Sequence, residues 1–295
     1  MKYFKPLKIL QRSPNNLNSV RFSPDSTAVV CSFGDKTVRV CAIASRKETH
    51  VLNGHTDAVN DAQFSPEGNM IVSCSNDKTL RLWDVKSWTE IKTLTNSSCV
   101  ICAQFSPDGK TIVSSAEDKI IRLWDVRSGQ EIKRMIGHSM SINEVQFSPN
   151  GRQIVSASND MTIALWDVIL GERTKQFQGH KDNIFKAQFS PDGCFIVSCS
   201  VDETIRIWDT STGKEVETFT EHSRSVRDVK FFPDAHTIVS CSLDKTLRLW
   251  DVKLGVEIQK LEGSLRELIG VDISPDGNTI VSFSKDGTIR LWGVL

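Results

Sequence analysis

The sequence predicts an all-β fold, a ring of seven four-stranded antiparallel sheets closed where the amino-terminal strand completes the last sheet. Three observations carry this. A phrase close to FSPDG recurs with its first residue at Phe22, Phe64, Phe105, Phe147, Phe189, Phe231 and Ile273, in steps of 42 residues with one step of 41. A Trp-Asp pair holds constant phase at Trp83, Trp124, Trp166, Trp208 and Trp250, with Trp292-Gly293 and Cys41 in the matching places of the last and first units. Each unit contains four short runs separated by turn signals, two of them rich in Ile and Val, and no helical period of similar length. Such a unit cannot bury its own faces, so the units must stack, and a radial arrangement of seven satisfies that need. The period runs through residues 1–295, which are expected to form one domain.

Along the chain, the first strand, at about 4–12, is expected to pair with the sheet formed by about 265–295. The chain begins just after the phase of a Trp-Asp pair and stops just after Trp292, so its two ends are complementary in register. Pairing them removes the open sheet edge. In the second unit, strands are expected at 60–64, 69–75, 80–85 and 90–94, and the other units repeat them. Pro66-Glu67-Gly68 and its counterparts supply one turn, and Ser128-Gly129 or Thr212-Gly213 another. Trp88 stands where Gly129, Gly171, Gly213 and Gly255 stand elsewhere, which places a large aromatic on a surface turn, as a contact residue or as local packing.

Composition excludes several classes. Hydrophobic residues are 39% and charged residues 24% of the chain, as in an ordinary globular protein. Thirty-six basic residues balance 36 acidic ones, so the electrostatic footprint of a nucleic-acid or membrane-surface binder is missing. No apolar leader and no long apolar run is present, and the eight cysteines are expected to be reduced and mostly buried. The expected compartment is the cytosol, with the nucleus as the alternative.

Gly-His at 54–55, 137–138 and 179–180, together with the five Trp-Asp pairs, resembles the WD-repeat (WD-40) β-propellers over the whole chain. The resemblance implies a seven-bladed β-propeller whose blades are held by a hydrogen-bonded tetrad of His, Ser or Thr, Asp and Trp. The full sets here would be His55, Ser73, Asp77 and Trp83; His138, Ser156, Asp160 and Trp166; His180, Ser198, Asp202 and Trp208; and His222, Ser240, Asp244 and Trp250. Buried polar groups need such partners. Because the set repeats in four blades, it is read as structural and not as a catalytic triad. Blade one keeps Asp35 alone, with Ser13, Cys31 and Cys41 at the other positions. Blade three offers Asn96 or Ser97 in place of His and keeps Ser114, Asp118 and Trp124. Blade seven has Ser264 for His and keeps Ser282, Asp286 and Trp292. Blades one and seven are therefore expected to flank the least stable seam.

No phosphate loop, HExxH or GxSxG motif occurs, and Cys99-Val100-Ile101-Cys102 has no second cysteine pair at zinc-ribbon spacing. Cys74, Cys199 and Cys241 are expected in the core. No catalytic residue, cofactor or metal is expected, and Glu117 and Glu267 fall in separated blades.

The resemblance implies a rigid interaction platform whose top face, around the central channel, is the usual contact surface. Its customary positions hold Asn16, Asn18 and Gly34 in blade one; Ala58, Asn60 and Asn76; Cys99, Ile101 and Glu117; and Ser141, Asn143 and Asn159 in blades two to four. In blades five to seven they hold Asn183, Phe185 and Val201; Ser225, Arg227 and Leu243; and Glu267, Ile269 and Lys285. The last three blades thus gather Phe185, Val201, Leu243 and Ile269 beside Arg227, Glu267 and Lys285, a pattern that fits a protein-binding hot spot. The alternative to binding is that these side chains only line the channel. The expected partner is a protein or peptide, with no nucleic acid and no membrane, the chain being monomeric or part of a larger complex. An alternative function comes from residues 112–127, which resemble the WDxR box that docks some propellers on a cullin-RING ubiquitin-ligase adaptor through, here, Arg127.

Overall fold

A computed structural model, which describes residues 2–12 and 16–295, forms seven four-stranded antiparallel sheets arranged as blades around a channel. Strands a to d run from the channel outward. In blade two they are Val59–Phe64, Met70–Ser75, Thr79–Asp84 and Thr89–Thr95, each end within one residue of expectation. Strand b is packed on both faces and is a near-continuous apolar run, whereas strand d is the outer edge and is mostly exposed. Among the described residues no helix is long and apolar enough to cross a membrane.

Every pairing of strands a and b contains one register shift, between Val59 and Asp61 in blade two and at the same place in the other six. The extra residue of a bulge breaks the alternation of side chains. Asn60 and Asp61, which a regular strand would send to opposite faces, therefore both reach the channel.

Phe4–Arg12 is strand d of blade seven, antiparallel to Thr288–Val294, with Phe4 opposite Val294 and Arg12 opposite Thr288. The closure is latched from outside the sheet. Phe4 is buried with its ring centroid 5.5 Å from that of Phe232, and the Gln259 side chain accepts from the Phe4 N–H at 2.9 Å and donates to its carbonyl at 2.8 Å.

Apolar cores lie between blades, not within them. Val72, Leu82 and Leu94 of blade two pack with Val100, Phe105 and Trp124 of blade three, and the tryptophans of blades two and four to seven occupy the same kind of interface. At the junction of blades seven and one, Cys41 replaces the tryptophan. That core is filled by Phe33 and Phe283, both at positions where other blades carry Ser, Ala or Cys. Gly270 belongs to this exchange: a Cβ there would lie 2.1 Å from the Phe283 ring. Cys74, Cys199 and Cys241 are fully buried, and no disulfide joins the described cysteines.

Candidate functional site

In blade two the polar groups form one chain. Trp83 Nε1 donates to Ser73 Oγ at 2.9 Å, Ser73 Oγ meets His55 Nε2 at 2.7 Å, and His55 Nδ1 meets Asp77 Oδ2 at 2.8 Å. An ionised carboxylate can only accept, so the imidazole proton sits on Nδ1, and with the ring neutral Nε2 accepts the serine proton while Ser73 Oγ accepts from the indole. Burial, which pushes the His55 pKa down, favours the same form. Burial opposes the charge on Asp77, but the Thr79 hydroxyl, the Thr56 N–H and His55 outweigh it and hold its carboxyl at about 2. Blades four, five and six repeat the chain through His138, Ser156, Asp160 and Trp166, then His180, Ser198, Asp202 and Trp208, then His222, Ser240, Asp244 and Trp250. Connectivity alone would suit a hydrolase. Each serine, however, is fully buried with its Oγ held between indole and imidazole, which leaves no place for a substrate carbonyl.

The blades without histidine solve the problem in three ways. In blade three Ser97 donates to Asp118 at 2.9 Å, while Asn96 turns away to the Ser98 carbonyl. Arg122, almost fully buried, fills the remaining space: its guanidinium donates to Asp118 at 2.6 and 3.0 Å and to Ser97 at 2.8 Å, and lies 3.2 Å from Glu131. In blade one Arg39 likewise turns to Asp35, and Cys31 and Cys41 hydrogen-bond to each other in place of hydroxyl and indole. The Ser13 position lies outside the described residues. Blade seven keeps the Trp292 to Ser282 bond at 2.9 Å, but Ser264 bonds the Arg266 carbonyl, and a small cavity remains among Ser264, Leu268, Asp286 and Arg290. The inward arginines were not readable beforehand. Arg81, Arg206 and Arg248 occupy the same position and pair with Glu90, Glu215 and Glu257 instead.

The channel is divided. Asp61, Arg21, Glu144 and Lys186 form a line of charges across it, with Arg21 of blade one 3.8 Å from Asp61 of blade two and 3.9 Å from Glu144 of blade four. Burial disfavours each charge, yet the partners win: Glu144 lies below the usual carboxylate range because of Lys186 and Arg21, and Lys186 lies above its usual value because of Glu144. Below this line is a cavity of about 490 Å³ ringed by Pro24, Pro66, Pro107, Pro149, Pro191 and Pro275, and above it one of about 350 Å³.

The upper cavity shows what the customary contact positions do. Asn18, Asn60 and Asn143 donate to the carbonyls of Val59, Val100 and Ile184, each fastening its blade to the next. Ile101, Phe185, Arg227 and Ile269 occupy that same position in the other four blades and make no such bond. Instead the Arg227 guanidinium stacks on the Phe185 ring, 3.8 Å from its centroid. The structure brings Phe185, Arg227 and Ile269 together around the cavity. Val201 and Leu243 lie half-buried on the surrounding loops, whose backbones bond Val201 to Asn183 and Leu243 to Ser225. Glu267 is near Lys285, and Lys285 is exposed.

A family model described as the IFT122 first beta-propeller matches residues 141–295, and the model of the WD domain, G-beta repeat, matches residues 4–41, 46–84 and 88–125. The chain belongs to the WD-repeat β-propellers. No curated protein matches it. Propellers of this family are generally non-catalytic scaffolds for protein interaction. In this WD-repeat propeller the opposite face holds the two other residues singled out from the sequence. Trp88 adopts φ 58°, a conformation that glycine takes in the sister turns, and stacks on His50 with centroids 3.8 Å apart. Arg127 is exposed, with its carbonyl accepting from Lys92. Among the described residues no group of His, Cys, Asp and Glu is arranged to hold a metal ion, and the thiol of Cys102 points to Asp61, not to Cys99.

Proposed function

We propose that this propeller is a non-enzymatic platform that binds a protein or peptide over the upper mouth of the channel, across blades five to seven. The observation that carries this reading is the difference among equivalent positions. Three blades use the position for an asparagine that ties neighbours together, whereas blades five to seven hold Phe185, Arg227 and Ile269, which contribute nothing of that kind. Apolar side chains at a solvent-filled mouth gain free energy only when something covers them, and a neighbouring charge then sets orientation. Val201 and Leu243 extend the apolar surface, and Glu267 and Lys285 provide a polar rim. Residues 1–295 act as one unit in this reading, monomeric or within a larger complex. The buried, unbridged thiols fit a reducing compartment, the cytosol or nucleus.

Affinity capture from lysate with the wild-type chain and the Phe185→Ala, Leu243→Ala double variant tests it. Proteins retained only by the wild type, with melting temperatures nearly equal, are the expected outcome; identical retention overturns the reading. The exposed Arg127 on the opposite face supports a second reading, that of a cullin-RING substrate receptor. It requires that Arg127→Ala abolish adaptor binding.

A further inference from the structure

We propose that Arg227 is the receptor for a single carboxylate, so that the partner of the upper mouth is an acidic peptide segment with aliphatic neighbours; this rests on the reading of that mouth given above. Arg227 is conspicuous for what it lacks. Arg21, Arg81, Arg122, Arg206 and Arg248 each pair with a carboxylate, but among the described residues no carboxylate pairs with Arg227, and its Nε, like those of Arg81 and Arg248, is buried without a hydrogen-bond partner. The Nε–H is buried and unmatched, while the half-buried guanidinium as a whole lines the cavity, where a ligand can supply an acceptor. Phe185 holds the guanidinium plane at 3.8 Å, which fixes the direction in which its fork points without consuming a single N–H. A planar fork held in this way matches a carboxylate with two parallel hydrogen bonds.

The charge of the cavity selects among anions. Arg227 and Lys186 are balanced by Asp61 and Glu117 in its lining, so each added negative charge is opposed, and a monoanion is opposed less than a phosphate dianion. Outside the cavity the Glu267 carboxylate is held below its usual pKa by its own backbone N–H and, to a lesser extent, by the nearby cations Lys285, Lys245 and Arg224. Acidic residues flanking the anchor would be drawn to that sector.

The test is selection from a displayed random-peptide library against the full wild-type chain, followed by binding of the recovered peptides to variants. Recovered peptides are expected to contain Asp or Glu next to Leu, Ile or Val. They should lose about thirtyfold or more in affinity on Arg227→Gln, lose part of it on Arg227→Lys, which keeps the charge without the fork, and weaken with salt. Melting temperatures of both variants report whether they fold. Peptides that depend on Phe185 and Leu243 but lack acidic residues and bind Arg227→Gln unchanged overturn the carboxylate assignment alone. Preference for a phosphoserine peptide over its glutamate counterpart overturns the monoanion argument. Peptides that are indifferent to Phe185→Ala with Leu243→Ala, or no peptide at all, overturn the mouth as a docking site and this inference with it.

Discussion

Arg122 is the residue on which blade three depends. Its guanidinium joins Asp118, Ser97 and Glu131 where other blades use an imidazole; removing it leaves Asp118 without a cationic partner, while Glu131 keeps Arg134. Breaking a buried pair costs more than the pair contributes, because the remaining charge is uncompensated. Asp118 and Glu131 keep some contact with water, so Arg122→Leu is expected to lower stability by about 2 kcal/mol. Urea denaturation at neutral pH measures this, and a loss indistinguishable from zero would mean that water already screens the pair. At this scale the sequence is legible where a pattern repeats and opaque where one residue changes partner. The four complete sets can be placed from spacing, since His, Ser, Asp and Trp recur in phase. The direction of Arg122 cannot, because Arg81, Arg206 and Arg248 share its position and pair elsewhere. The stacking of Arg227 on Phe185 is likewise a tertiary contact between blades, with only adjacency in the ring to suggest it.

Blades differ in how they are joined: the chain ends meet inside blade seven, between its third and outermost strands, and next to that blade lies the altered junction of seven and one. It has lost the indole of one side and the imidazoles of both, but it gains Phe33 and Phe283. Apolar filling restores contact area; it does not restore the hydrogen bonds that hold loops to strands. Amide exchange is therefore expected to be faster at 38–43 and 288–291 than at 163–168 in blade four, since local opening follows the least supported elements. Equal protection at all three segments would show that the two phenylalanines compensate fully. Strand positions were readable to within a residue in blade two because alternation and turn residues agree there. The bulge in each strand a was not, since nothing in the composition of Asn60-Asp61 marks it, and it decides which side chains enter the channel.

Acid acts on the whole ring at once, because the same network is written in four blades. Asp77 is held at about 2, and Asp160, Asp202 and Asp244 lie well below the ordinary carboxylate range through bonds from histidine, threonine and backbone N–H groups that outweigh burial. A carboxylate with a lowered folded-state pKa contributes stability that is complete above its unfolded value of about 4 and is lost as the pH falls through the folded one. His55, also lowered, prefers the neutral form, so its contribution declines from about pH 6.5 downward. Both signs agree. The urea midpoint should be flat at alkaline to neutral pH, decline slightly below about 6.5 and fall steeply below about 4; a midpoint that rises on acidification would contradict the network.

The line of charges from Asp61 through Arg21 to Glu144 and Lys186 has a consequence for the molecule as an object. A ring with an open bore could be threaded by a tail or could pass a ligand from side to side. This one carries a network of buried charges at mid-depth. What enters from above meets Lys186, what enters from below meets Arg21 and a collar of prolines, and Asp61 borders both cavities. The bore thus offers two differently lined cavities, one on each side of the charges.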